Sequence, residues 1–579
     1  MPKSILLIAL SFSLFLGVNS AALSAVSPLP LLVEQCLKLQ SPEQVTLSSP
    51  APLLDIEDAV DRSRALEASM LGLFNVKDRL RYYKSLTISP KYQESLLQCQ
   101  LHLADLMAEA LASPALTQLL GFNNRENQEL VQLSLRWSDL IDNNANIIHK
   151  SQLHTSQAAV KLGLRSQALT LHFGNTNCDI PHEMETKASP QTKIKTFDKN
   201  IAAYLIQQQD SRCQQLVWNA YQSRAREKNE EALARIVRLR NETAAQAGYR
   251  DHTDYSLSKQ FLSTPELVKA FLDSVTRRVD SPPWKFGTSL SQSAITKIAV
   301  LDSASMLIRI YEAAEPLGFH VEMITDNVHR VWHRHRLLGD IFFGEAPYIR
   351  AQTLRFPVVG NQFGQIRISS KPLLNSYRDQ QALIKATASA FATLSSSSHH
   401  YLINALGETQ DTSKLGRLWL EYYLSDAISP PLDDKSREQK LASYGRQLKV
   451  FRAKVAINFY SNAQPKLYPN LSDEFIRAFG QAWNEPQDYA YNFFAIANEG
   501  PIYYQDVWQE SLANFIYQST KNCRERYKVF DILMINEPSS RLGQRLETLL
   551  GSPIDAKSLI KRINDAPLSQ DQRPVTCTF

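Results

Sequence analysis

Residues 381–402 read QALIKATASAFATLSSSSHHYL. Leu383, Thr387, Ala390 and Leu394 recur at the three-or-four spacing of a helix face that packs into a core. Four serines, 395–398, then form a loop, and His399 and His400 close the stretch. The other face of the helix carries Lys385 and Ser389, four residues apart and therefore neighbours. A small-residue helix built for close packing makes the region helical. Its lysine–serine pair makes it the place to look for chemistry.

Upstream, LGDIFFGEAPYIRAQTLRFPVVGNQFGQIRISS (338–370) has short runs of Ile, Phe, Val and Tyr separated by Gly, Pro and Asn, the pattern of short strands. The preceding RVWHRHR (330–336) is a basic cluster expected to form a solvated connection. Downstream of 375 the pattern returns to helix, apart from a proline-containing loop at 429–433. Residues 55–170 read as a run of amphipathic helices. FGNTNCDIPHEMETKASPQTK (173–193) is polar and holds two prolines, marking a boundary between lobes. A long helix is predicted over 210–249 with Gly248 as its stop, and another begins at Thr264–Pro265. The class is mostly α with one small β insertion.

The chain has 579 residues, 44% hydrophobic and 21% charged, with only 19 glycines. That is a folded profile, and the length calls for two or more lobes in one large body. A net charge of +5 spread over this length, with no basic stripe, gives no case for a nucleic-acid partner.

At the N-terminus, Lys3 precedes the apolar run Ile5–Val18. The run has signal-peptide length and is short for a membrane span. Small residues place cleavage after Ser20 or after Ser24. No cysteine follows closely, so no lipid anchor is suggested, and no later apolar run approaches a span. The expected divisions are a signal peptide at 1–24, an N-terminal helical lobe at 25–190 and a second lobe at 191–579, in a secreted or periplasmic protein. Six cysteines remain, Cys36, Cys99, Cys178, Cys213, Cys523 and Cys577. An even count fits disulfides in an oxidising compartment. The sequence does not choose among the possible pairings; sequential pairing, 36–99, 178–213 and 523–577, is the working expectation, the last tying down the C-terminal tail.

Four further stretches share an order and spacing. They are YQSRAREKNEEALARIVRLRNETAAQAGYRDHTDYSLSKQFLSTPELVKAFL, LGDIFFGEAPYIR, IYYQDVWQESLANFIY and DILMINEPSSRLGQRLETLLG. Together, over roughly residues 50–565, the chain resembles the thimet oligopeptidase, oligopeptidase A and dipeptidyl carboxypeptidase family of zinc metallopeptidases, though no single motif is exact. The resemblance implies a two-lobed helical body with a channel between the lobes, the small sheet lining one wall. The family holds zinc with His-Glu-x-x-His on one helix and a glutamate on the next. Two histidines at i and i+4 reach one metal, and the glutamate between them is the base for zinc-bound water.

In this chain the matching helix is LIKATASAFA (383–392). Lys385 stands at the first histidine, Ala386 at the catalytic glutamate and Ser389 at the second histidine. The register runs without a gap to Lys414 at the third ligand, with Asp411 and Glu421 matching flanking acids. A protonated lysine is a poor zinc ligand, two would repel the cation, and alanine is no base. The family's substrate-contacting segment keeps Tyr503 and Tyr504, while Glu499 and Asp506 take other tyrosine positions. Its histidine is gone, and its glycine-rich hinge reads Ala497, Asn498 and Ile502. Gly344 takes the place of a strand aspartate.

The resemblance therefore implies a degenerate site with no metal or cofactor, where active relatives hold zinc. The expected role is a pseudopeptidase that binds a peptide or a protein partner through Tyr503, Tyr504, Glu499 and Asp506. Lys385 and Lys414 are expected to pair with Glu499, Glu421 or Asp411. Alternatives are an active hydrolase of short peptides with a non-standard site, and an assembly factor whose channel is vestigial. The first could use a Lys385–Ser389 dyad, or zinc moved to His333, His335, His399 and His400.

Overall fold

The computed structural model describes residues 28–41, 55–86, 88–122, 127–144, 147–165, 178, 190–463, 465–537 and 539–565. The signal-peptide region, most of the boundary at 173–193 and Cys577 lie outside the described residues.

Among the described residues the chain is mostly helical, with one five-stranded sheet and a two-stranded ribbon. Helices Ile56–Lys84, Pro90–Leu111, Pro114–Gly121 and Gln128–Asn144 form the N-terminal group. Their starts follow ordinary capping chemistry. The Asp55 side chain accepts from the Asp58 amide, and Pro90 and Pro114 sit in first turns, where a missing N–H costs nothing. Cys36 is joined to Cys99 and Cys178 to Cys213, the first two sequential pairs. Cys523 is also disulfide-bonded. Among the described residues no helix is long and apolar enough to cross a membrane.

The sheet runs in spatial order Phe319–Thr325, Val328–His333, Arg336–Glu345, Gly364–Ser370, Arg350–Arg355. Only the pair Arg336–Glu345 and Gly364–Ser370 is parallel, with Ile341 opposite Ile366. Gly339 is required there. Its φ is +154°, and a β-carbon would lie 2.1 Å from the Gly364 carbonyl oxygen. The sheet starts earlier than the sequence suggested, and RVWHRHR is two strands and a tight turn rather than a solvated connection. Val331 and His333 are buried while Arg330 and Trp332 are only half-covered. This two-residue alternation was hidden because the buried positions carry His329 and His333 and the half-covered ones Val328 and Trp332.

The helix predicted over 210–249 is likewise two helices, Ser211–Ser223 and Arg226–Gln246. Arg224 turns back between them, donating to the Tyr221 carbonyl at 2.7 Å and lying over the Tyr221 ring. Gly248 ends the second helix at φ +82°.

Three large apolar clusters organise the body. The sheet residues Ile341, Ile366 and Ile368 pack with Leu383, Phe391 and Trp508. The N-terminal helices bury Met70, Phe74, Leu103 and Trp137, and this cluster takes in Val358, Tyr401 and Leu402 from the body. The third joins Val160, Trp218 and Ile236 to Phe451, Phe475 and Trp483.

The seam between the N-terminal helices and the body combines ring stacking with polar contacts. Phe74 and Tyr401 stack at 4.1 Å. Asn75 and Gln362 exchange amide hydrogen bonds at 2.8 and 3.1 Å. Asp78 accepts the Tyr401 hydroxyl. The outer strand Arg350–Arg355 lies against helix Ile56–Lys84, and Gln352 donates to the Ser85 hydroxyl. That edge of the sheet is therefore covered.

Candidate functional site

The helix Tyr377–Leu394 starts at Ser376, whose hydroxyl accepts the Asp379 amide at 3.1 Å. Leu383, Thr387, Ala390 and Leu394 are wholly buried, as their spacing predicts. Ala386 is buried too, whereas Lys385 is exposed and Ser389 half-buried. The lysine thus sits on the solvent side of an otherwise buried helix. Among the described residues no hydrogen bond joins Lys385 to Ser389, so the geometry of a nucleophile and its base is not present.

Lys414 caps the next helix, Leu415–Ile428. Its ammonium donates to Asp506 at 2.8 Å, both side chains being about half exposed. Its amide donates to Gln509 at 2.7 Å. The expected partners are thereby corrected: Lys414 takes Asp506, not Glu499, Glu421 or Asp411, because Gln505–Thr520 brings Asp506 alongside. Burial pushes the Asp506 carboxyl up, but the Lys414 hydrogen bond and charge, with Lys449, hold it below the usual range.

Glu421 is buried and pairs with Arg417 at 3.2 Å. Burial raises its pKa, offset in part by the charges of Arg417 and Lys385. Lys449 pairs with Glu510 at 2.8 Å. Glu499 is exposed and has no ion pair among the described residues. Partial burial and the like charge of Asp506 raise its pKa, against Lys414 and Lys449. The local set is balanced, with Lys385, Lys414, Arg417 and Lys449 against Glu421, Glu499, Asp506 and Glu510.

Asp411 has another role. Wholly buried, it accepts the amides of Phe261 at 2.9 Å and Leu262 at 3.1 Å. It also accepts the hydroxyls of Thr409 and Tyr504, each at 3.0 Å. Tyr504 is completely buried. It has no face to offer a peptide, and its assignment as a contact residue is corrected to a core anchor. Tyr503 is half-buried against Phe493, with Arg452 beside its hydroxyl.

Three of the four histidines have partners of their own, and His335 is exposed in the turn between two strands. His400 is wholly buried between Ser63 Oγ at 2.9 Å and Glu129 Oε1 at 3.0 Å. His399 faces the Val359 carbonyl and His333 the Leu317 carbonyl. Ser63 and Glu129 come from the N-terminal helices, so sequence reading had no signal for this partnership. Among the described residues no group of three or more His, Cys, Asp or Glu is arranged to hold a metal ion. Lys385, Ala386, Ser389 and Lys414 do not fit zinc either. One lysine is committed to a carboxylate, the other points to solvent, and alanine carries no donor.

Gly344, where the resembled family has an aspartate, leaves room that the Arg367 guanidinium fills. A β-carbon there would lie 2.0 Å from Nη2.

Beside the ion-pair cluster lies an open cleft of about 700 Å³. Lys414, Arg417, Glu499 and Asp506 form one wall, Ser396–Ser398 another, and Glu129 closes it from the N-terminal helices. Arg545 and Glu408, paired at 3.1 Å, stand at its far end. The arrangement can hold a polar ligand with charges of both signs.

Fold and site thus define a mostly helical protein with a small sheet and a cleft flanked by ion pairs. No family model matches the chain, and no curated protein matches it. Among solved structures, a carboxypeptidase of Pyrococcus furiosus described as apo-Mg matches at 12% identity. It covers 89% of this chain and 100% of its own, with a TM-score of 0.47. At that distance the match does not define a family.

Proposed function

We propose that this protein is a relative of the zinc oligopeptidases that has lost zinc-dependent hydrolysis and binds short peptides in the cleft beside Lys414. The observation that carries the proposal is the exchange of the four metal-site positions for Lys385, Ala386, Ser389 and Lys414. Lys414 is held in an ion pair with Asp506. An ammonium with its charge matched by a carboxylate neither needs nor attracts a cation.

The cleft supports the binding half of the proposal. Its volume of about 700 Å³ falls within the range of about 300–1,000 Å³ usual for ligand sites. Glu499 faces it as an unpaired acid for a peptide's cationic group. Arg417 and Lys414, paired with Glu421 and Asp506, keep further N–H donors for a carboxylate, and Ser396 adds a hydroxyl to the lining. Two disulfides are compatible with a secreted or periplasmic location.

The test uses the purified mature protein. Metal content and hydrolysis of a mixed peptide library are measured on one sample, and thermal midpoints are followed with short peptides. A ligand that prefers the folded state raises the midpoint. No stoichiometric zinc, no cleavage and a peptide-dependent rise are expected. One zinc per chain with chelator-sensitive cleavage would overturn the loss of hydrolysis. A midpoint unmoved by every peptide would overturn peptide binding.

A further inference from the structure

A second cleft, of about 660 Å³, lies on the other side of the segment 531–545. Asn536 and Arg545 line both clefts. Its floor is apolar, from Ile532 and Ile535, and its rim carries Arg334, Arg336 and Arg545 against Asp531 and Glu537.

The charges of this rim are not fully matched. Arg334 is paired with Asp531 and Arg545 with Glu408. Arg336 is different: its guanidinium donates to the Ser396 carbonyl at 3.3 Å and makes no ion pair among the described residues. It is half-buried, which disfavours its charge, and only Glu537, an acid of the same cleft that makes no ion pair with it, offsets that. A guanidinium has five donors in a planar fork suited to a carboxylate or phosphate. Two polar atoms of the lining are also buried with no hydrogen-bond partner, Arg545 Nε and Asp531 Oδ1.

The backbone is unusual at the same place. Arg334, Asn536 and Ser539 have φ of 53°, 45° and 53°, and they are the non-glycine residues with positive φ among those described. Two of them line this cleft, and Ser539 adjoins Ser540, which also does. Between the arginine turn and Asn536, residues Asp531–Ile535 form one π-helical turn. Strained residues and π-turns persist where surrounding structure holds them, and they gather at ligand sites.

We infer that this cleft binds a small organic anion, its apolar body on Ile532 and Ile535 and its carboxylate or phosphate on Arg336. The inference does not rest on the peptide-binding proposal, and either can fail alone.

The test is calorimetric titration of the full mature chain with four probes: 4-phenylbutyrate, phenyl phosphate, neutral 4-phenylbutanamide and inorganic phosphate. At least one organic anion is expected to bind ten or more times tighter than both the amide and inorganic phosphate. Whichever anion binds tighter identifies the head group. Arg336→Gln is expected to weaken that anion at least tenfold, and Arg336→Lys by less. Gln544→Glu, which adds an acid to the lining without removing a packed side chain, is expected to weaken it comparably and serves if Arg336→Gln does not fold. Arg417→Gln, in the first cleft only, should leave it unchanged. The inference is overturned if no organic anion binds or if the amide binds as well as the anions. It is equally overturned if the folded Arg336 and Gln544 variants bind as the parent does, or if Arg417→Gln abolishes binding.

Discussion

Replacing Glu67 by glutamine should stabilise the protein at pH 8 and leave it unchanged in acid. Glu67 is 1% exposed on helix Ile56–Lys84, at the seam with the body. One carboxyl oxygen meets the Leu402 amide at a long 3.4 Å, and the other has no hydrogen-bond partner. Burial pushes its pKa up to about 8. The Leu402 and Tyr401 amides pull it back, and the charge of Glu129 raises it further. The sign follows. Above the ordinary carboxyl range the unfolded chain gives up this proton, while the folded chain keeps it until about pH 8. The folded state therefore binds more protons, and stability falls as pH rises across that window.

Every tenfold difference in proton affinity between the folded and unfolded chain is worth about 1.4 kcal/mol, so the full penalty above pH 8 is on the order of 5 kcal/mol. Glutamine carries no charge and escapes it. The other titrating groups at the seam act in parallel in both proteins. Asp78 is raised to about 6 by burial. Glu129, despite burial, is held down to about 2 by His400 and Ser398. The assay is the difference in urea midpoint between Glu67→Gln and the parent at pH 5, 6, 7 and 8. The difference should grow steadily with pH, reaching several kcal/mol at pH 8. A constant difference would mean that Glu67 is ionised and paired in the folded protein, and would refute the reasoning.

Other consequences are equally measurable. Lys454, 1% exposed between Glu474 at 2.6 Å and Asp273 at 2.9 Å, should cost about 1–3 kcal/mol as Lys454→Met, since each acid loses one cation while Glu474 keeps Arg477 and Asp273 keeps Lys269; denaturant unfolding reads this. Asp411→Ala should cost about 3 kcal/mol or more, because the Phe261 and Leu262 amides and the Tyr504 hydroxyl are left unpaired, whereas Tyr504→Phe should cost only about 1 kcal/mol. Lys414→Ala should change stability by less than about 1 kcal/mol, as expected for a half-exposed pair, and a large loss in thermal midpoint would contradict the geometry. Removing the Cys36–Cys99 bond, which spans 63 residues, should cost about 4 kcal/mol by loop entropy, seen as a lower urea midpoint for the double serine variant.

The helical class and the core face of Tyr377–Leu394 were legible because a 3.6-residue period survives in composition. Two disulfide pairs were also anticipated, although nothing in spacing alone selects them. The strands at 319–333 were not legible. In Val328–His333 the buried positions carry His329 and His333 while Val328 and Trp332 are half-covered, so the apolar period was broken on the buried face. At the site, the identities of Lys385, Ala386, Ser389 and Lys414 could be read directly, but their partners could not. Asp506 reaches Lys414 across 92 residues, and His400 reaches Ser63 across 337. Only Arg417–Glu421, four apart on one helix, left a local trace. Tyr504 illustrates the converse error: a tyrosine pair suggests ligand contact, yet one of its members is consumed by a buried aspartate.

The cover over strand Arg350–Arg355 bears on how the chain is made. Ser85 and Gln352 are 267 residues apart, so the ribosome releases the covering helix long before the strand exists. A chain that emerges N-terminus first has its shield waiting when the edge appears, and the unpaired strand is never offered to a neighbouring nascent chain. Reversing that order, as in a circular permutant that begins at the body and ends with the helix Ile56–Lys84, would reach the same final structure through a stage in which the edge stands bare. Such a permutant should give a lower soluble yield without any change in the folded state.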